Sequence, residues 1–279
     1  MKNSKVNFFH IGPQKTATTW LYNCLKEHPE VSVASRDAIQ FFDINYHLGE
    51  DWFESKFPET TGIKVETSPS YIRSRLSLER IKHYNNDAKI IFCIRNPVER
   101  MLSHFWHEKK KNSFSYELQD VFNNYDLFSS WIEPSFYAQK YELLIDIFGK
   151  ENILVQVYDD LVKSPEDYIK DTYEFLGVID SSFSPQLLNR KVNQATVKKS
   201  KSRLFFIDIF TKIGVIDTLL KVKANIFGLQ TTKGIKTEEL IDKLSKDDLD
   251  RIKSITRFDV EKLSSLIQRD LTFLWGYHK

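Results

Sequence analysis

Two cysteines in 279 residues leave no disulfide framework. Cys24 and Cys93 both stand among apolar neighbours, where a thiol reads as a small buried hydrophobe. No hydrophobic run reaches the roughly 18 uncharged residues of a membrane span. The apolar stretch near the N-terminus is too short and too interrupted to form the core of a signal peptide. Together these absences point to a reducing, cytoplasmic compartment. The formal charge is only +2, too small to imply a nucleic-acid partner. There is no internal repeat, low-complexity tract or linker, so one domain over residues 1–279 is the simplest organisation. Aromatic residues are plentiful instead: 21 Phe and 12 Tyr suit either a packed core or a sugar-stacking surface. Basic residues cluster at 109–111 and 198–203.

The most informative stretch is residues 6–26, VNFFHIGPQKTATTWLYNCLK. Residues 6–11 form a short apolar and β-branched run, as a buried strand would. Gly12-Pro13 breaks the chain, and Trp20, Leu21, Cys24 and Leu25 then recur at helical spacing. Lys15 lies in the turn, with Thr18 and Thr19 at the helix start. The first N–H groups of a helix lack intrahelical partners and favour an anion. A lysine and two hydroxyls add charge and donors, so the turn reads as a phosphate or sulfate cradle. A plain N-cap is the alternative reading of such a threonine. The loop departs from the ATP-binding G-x-x-x-x-G-K-[ST] pattern, because no Gly-Lys pair is present.

Further strands are expected at 31–34, 62–66, 89–94 and 152–158. Helices are expected at 52–57, 76–84, from Pro97 through His104, at 136–148 and from Ser164 to Leu176. Strands alternating with helices imply βαβ units. The fold class is therefore α/β, with a P-loop-NTPase-like central parallel sheet flanked by helices. A nucleotide-binding core would cover about 5–180, followed by a basic loop and a mostly helical part over about 181–279. Residues 238–275 are helical by pattern, while 204–229 are apolar but interrupted by charges. The latter suit a core helix, a lid, an oligomer face or a peripheral membrane contact. The strand at 89–94 ends in Arg95, where an Mg-nucleotide enzyme would need an Asp. With Ser103 in the next helix, Arg95 can hold a terminal phosphate without a metal; taken singly, Arg95 reads equally well as a salt-bridge partner, and Ser103 more plainly as a helix filler.

Taken together, these segments resemble sulfotransferases that use 3′-phosphoadenosine 5′-phosphosulfate (PAPS). Gly-Pro-Gln-Lys-Thr-Ala-Thr-Thr-Trp-Leu at 12–21 is similar to their 5′-phosphosulfate loop. Ile-Arg-Asn-Pro-Val-Glu-Arg-Met-Leu-Ser at 94–103 resembles their 3′-phosphate motif. Glu66-Thr67-Ser68-Pro69-Ser70-Tyr71 and Phe41-Phe42-Asp43 resemble segments of the heparan sulfate and bacterial glycan branch. There are departures. Ala17 stands where the family usually has Gly, a mild change at a helix start. Glu66-Thr67 replaces Glu-Lys, removing one cation. Arg36-Asp37 replaces Lys-Glu, with one extra residue before Phe41.

The resemblance implies transfer of a sulfuryl group from PAPS to a hydroxyl or amine, leaving the bisphosphate PAP, with no metal. Cofactor contacts would come from Gln14, Lys15, Thr16, Ala17, Thr18 and Thr19, and from Arg95 and Ser103. Lys198, Lys199 and Arg203 would close over the 3′-phosphate or meet an anionic acceptor; a solvated charge run is the plainer reading. Lys15 would act at the transferred group. Asp37 is the first choice of general base, because the family's base falls close to it. Glu66 is the second choice, and His10 and His104 the third. The acceptor would be a glycan or glycoconjugate; Trp52, Tyr71, Trp106, Trp131 and Tyr137 could include sugar-stacking faces, although most aromatics in such a chain belong to the core. Two other classes compete. A nucleotide kinase would require Mg²⁺ and a Walker-type Gly-Lys; a non-catalytic binder of anionic glycans would have lost Lys15 or Arg95.

Overall fold

A computed structural model describes residues 5–58, 62–110, 116–188 and 245–278. Lys198, Lys199, Arg203 and the apolar segment 204–229 lie outside the described residues. Five strands form one parallel sheet: β1 (Phe8–His10), β2 (Val31–Val33), β3 (Ile63–Thr67), β4 (Lys89–Ile94) and β5 (Ile153–Val157). Their order is β2-β3-β1-β4-β5. Each strand falls where an apolar run was expected, trimmed by a residue or more at most of the ends. Phe8 pairs with Val65 on one side and Lys89 on the other, and Ile94 pairs with Val157. The shortest strands owe their place to the neighbours that pair with them, not to length.

Ten α-helices lie among the described residues: α1 (Thr18–Glu27), α2 (Glu50–Glu54), α3 (Arg75–Tyr84), α4 (Pro97–Lys110), α5 (Tyr125–Trp131), α6 (Tyr137–Phe148), α7 (Tyr158–Lys163), α8 (Pro165–Leu176), α9 (Lys246–Ile267) and α10 (Leu271–Leu274). Side chains alternate across a strand, so successive residues serve different layers. Phe9, Ile90, Phe92 and Ile94 face one layer with Ile81 of α3, Leu144 of α6 and Val260 and Leu263 of α9. Phe8, Val65, Ile91 and Cys93 face the other, with Trp20 and Leu25 of α1 and Tyr173 of α8. The sheet is thus covered on both faces. A third cluster joins Met101 and Phe105 of α4 to Trp131 of α5 and Ile252 of α9.

The C-terminal helices are bound to this framework by polar contacts as well. Asp259 of α9 accepts the Ala138 N–H with both carboxylate oxygens at 3.1 Å, capping the start of α6. Trp275 Nε1 donates to Asp159 at 3.0 Å. The expected helix over 238–275 is not continuous within the described residues. It stops at Ile267, where Gln268 turns left-handed at φ 56°. It resumes as α10, whose first turn Asp270 caps through the Phe273 N–H. The expected helix at 52–57 instead begins at Glu50, where Glu50 and Asp51 complement the helix dipole, and ends before Pro58 is reached.

Three of the five aromatics weighed as sugar-stacking faces take the core reading. Tyr71, Tyr137 and Trp131 are all buried. Tyr71 packs edge-on against Phe42, and Phe41 stacks on Phe53 with centroids 4.7 Å apart. Trp52 and Trp106 keep partial exposure. Cys24 and Cys93 are buried free thiols. No helix among the described residues is long and apolar enough to cross a membrane.

Candidate active site

The carboxyl ends of β1, β3 and β4 lie side by side at the middle of the sheet, the edge where open α/β sheets place ligands. After β1 the chain enters the loop 11–17. Gly12 has φ +95°, and a Cβ there would lie 2.4 Å from the Pro69 carbonyl oxygen. Only glycine allows this loop to press against the turn after β3, and the Ser68 N–H donates to the His10 carbonyl at 3.0 Å. Thr16 is buried, and its hydroxyl donates to the Pro13 carbonyl at 2.7 Å. That bond closes the loop and commits the hydroxyl proton, so this side chain has none to offer a ligand.

Lys15 and Ala17 both adopt left-handed backbone, at φ 74° and 65°. Left-handed residues in such loops turn neighbouring N–H groups inward into an anion-binding nest. Ala17 is the N-cap of α1 and makes no side-chain cap bond. The donor set therefore fits an anionic group at this position. The methyl group of Ala17 is not the mild change expected from sequence, because a left-handed Ala costs about 1–2 kcal/mol where Gly costs little. The Gln14 side-chain oxygen is buried without a hydrogen-bond partner.

Asp37 comes next to this loop from the segment between β2 and α2. Its Oδ2 accepts the Thr19 hydroxyl at 2.9 Å, and its Oδ1 accepts the Thr67 hydroxyl at 2.8 Å. The following N–H, of Ala38, donates to the Thr67 carbonyl at 2.9 Å. Thr67, read from sequence as a lost cation, is therefore a clamp that fixes residues 37–38 by side chain and main chain. Farther along, the Gln40 N–H donates to Ser68 Oγ at 2.9 Å and the Phe41 N–H to the Tyr71 hydroxyl at 2.8 Å. The end of β3 thus holds the whole Asp37 segment in register.

Glu66 neighbours Thr67 on β3 but points to the other face, and it is fully buried. Its Oε1 accepts the Ser68 hydroxyl at 2.5 Å and the Tyr71 hydroxyl at 3.3 Å, while Oε2 has no partner. Burial pushes its pKa up to about 8; the two hydroxyls oppose this, and the charges of Asp43 and Asp37 add to it. At neutral pH it is mostly a neutral acid, unsuited to accept a proton. The third-choice histidines are neutral for the same reason. Burial pushes His10 down to about 3, and its Nε2 lies 3.2 Å from Cys93 Sγ. His104 is pushed down to about 2, by burial first and then by Arg100 and Lys15.

Arg95 leaves the end of β4 with its side chain only 6% exposed. Its Nε and Nη2 donate to Glu99 Oε2 at 3.2 and 3.0 Å, and its Nη1 donates to the Lys15 carbonyl at 3.2 Å. The guanidinium also lies over the Tyr158 ring, 4.2 Å from its centroid. Ser103 sits on α4, half-buried, on the same face as Glu99 four residues earlier. The structure thus brings together Gln14 to Thr19, Asp37 and Arg95, and sets Glu66 behind them in the core. Glu99 and Tyr158 escaped sequence reasoning. An i, i+4 spacing from Arg95 could have signalled the first; only the pairing of β4 with β5 reveals the second. A cavity of about 840 Å³ opens at edge strand β2 beside Ser32 and Lys56, and no residue of the loop lines it.

A parallel sheet whose central strand runs through a tight loop into a helix defines a P-loop-like architecture. Residues 6–215 match the sulfotransferase domain family, and the chain belongs to that family. It is similar to bifunctional heparan sulfate N-deacetylase/N-sulfotransferase 1 of Xenopus tropicalis, 31% identical over 192 residues, covering 61% of this chain and 22% of the relative. It is also similar to heparan sulfate glucosamine 3-O-sulfotransferase 3B1 of Mus musculus, 30% identical over 176 residues, covering 60% and 45%. The match therefore spans less than half the length of either relative. Among solved structures, a sulfotransferase from Alicyclobacillus acidocaldarius superposes with a TM-score of 0.71 at 20% identity, covering 98% of this chain and 99% of the other. A mouse sulfotransferase complexed with PAP gives 0.52 at 15% identity, covering 91% and 84%. Both share the fold.

Proposed function

We propose that the protein transfers a sulfuryl group from PAPS to a hydroxyl or amine of a carbohydrate acceptor, releasing PAP. The observation that carries this reading is Asp37, held by Thr19 at the first turn of the loop helix and by Thr67 at the end of β3. One carboxylate is thereby fixed beside an anion-binding loop, as a base acting on an acceptor at a phosphosulfate must be. Lys15, the amides of residues 16–19 and the Thr18 hydroxyl hold the phosphosulfate, with Gln14 at the loop's base. Arg95 and Ser103 hold the 3′-phosphate. PAPS supplies the activated sulfuryl group when bound. Asp37 takes the acceptor proton as the new bond to sulfur forms, and Lys15 offsets charge on the phosphate oxygen that leaves.

The acceptor class rests on the two relatives, one named as a heparan sulfate N-sulfotransferase and the other as a heparan sulfate glucosamine 3-O-sulfotransferase. A cytoplasmic location is part of the proposal, in keeping with two buried free thiols. Metal-free binding follows from a cation, Arg95, at the strand end where a magnesium-holding carboxylate would stand. Calorimetry with PAP in excess EDTA tests this: the expected result is saturable one-site binding and a raised melting temperature. No heat and no thermal shift would overturn the reading.

A further inference from the structure

We propose that Glu99 is an internal stand-in for the 3′-phosphate, a counter-ion that must yield Arg95 to the nucleotide and so sets the affinity for 3′-phosphorylated ligands. The proposal rests on the sulfotransferase reading above. A guanidinium with 6% exposure needs an anion beside it, and Glu99, 28% exposed, supplies one. Both Nε and Nη2 of Arg95 converge on its Oε2. The same carboxylate occupies the face of α4 on which Ser103 stands one turn later. A phosphate that engages Arg95 and Ser103 together therefore meets Glu99 between them. Its negative charge opposes the incoming phosphate, and the ion pair has to open or be shared.

Arg95 does not depend on Glu99 for its position. Its Nη1 is bonded to the Lys15 carbonyl, its guanidinium lies on the Tyr158 ring, and its own carbonyl accepts the Tyr137 hydroxyl at 2.8 Å. These contacts keep the guanidinium aimed while Glu99 moves aside. Reclosure of the pair favours departure of the product. Removing the charge at position 99 should therefore tighten PAP, not loosen it.

The test compares PAP with AMP, which differs by the 3′-phosphate alone, on the full chain and on Glu99→Gln. The amide keeps an acceptor oxygen for Arg95 and removes the charge. PAP is expected to bind about tenfold more tightly to the variant, close to 1.4 kcal/mol, with AMP changed by less than about twofold. Glu99→Ala should shift PAP in the same direction, which keeps the test open if the glutamine variant is unstable. Unchanged or weakened PAP binding, an equal shift for AMP, or opposite signs in the two variants would overturn the proposal. A wild-type chain that binds neither nucleotide would instead remove the sulfotransferase reading, and this proposal with it.

Discussion

Glu66→Gln separates structural from catalytic carboxylates through the pH dependence of stability. Burial pushes the Glu66 pKa from an ordinary 4.5 up to about 8. The folded protein therefore holds this proton more tightly than the unfolded chain does. The associated stability is fully present below pH 4.5 and is lost as pH rises toward 8. Each pH unit in that window is worth about 1.36 kcal/mol for one proton. Over the 2.5 units to pH 7 the loss is about 3 kcal/mol, a large share of the stability of an ordinary domain. Glutamine keeps an oxygen to accept from Ser68 and Tyr71 and cannot ionise, so it lacks this term. Urea unfolding of both proteins from pH 4.5 to 8 is the assay. The gap between them should move by about 3 kcal/mol in favour of the variant by pH 7. Parallel curves would mean that Glu66 ionises normally in the folded state, and the account of a neutral buried acid would fail.

Ala17→Gly should raise stability by up to about 1 kcal/mol, because glycine adopts the left-handed N-cap without the Cβ penalty but loses more chain entropy; thermal unfolding reads it, and a lower melting temperature would show that the methyl group packs usefully. Asp37→Asn should lower turnover by about 10²–10⁴-fold while PAP affinity stays nearly unchanged, since one amide oxygen still accepts a threonine hydroxyl. Near-normal turnover in that variant, with an inactive Glu66→Gln that still binds PAP, would transfer the role of base to Glu66.

Much of this architecture was legible in sequence because it depends on local pattern. The run Lys89 to Ile94 is apolar throughout after its lysine, as a strand buried on both faces requires, and Gly12, Lys15 and the threonines mark the loop. What escaped depends on contacts between distant segments. Nothing local reveals that Asp37 bonds to Thr67, 30 residues away, or that Ala17 is left-handed. Glu66 and Thr67 look alike as polar strand-end residues, yet the pleat sends one into the core and the other to the site. Sequence left Tyr71 and Tyr137 open between core and sugar-stacking face, because a tyrosine pattern does not show which hydroxyls find buried partners, here the Phe41 N–H and the Arg95 carbonyl. The stop at Gln268 has no glycine or proline to announce it.

Metal-independent sulfuryl transfer by this loop and this carboxylate is the reaction proposed for the protein. Its most direct test is incubation of the protein with sulfur-labelled PAPS in excess EDTA against a panel of glycan, lipid and phenolic acceptors. Label is expected on a carbohydrate acceptor, with PAP formed in equal amount. Label that appears only when Mg²⁺ is restored, or no transfer to any acceptor by a protein that binds PAP, would contradict it.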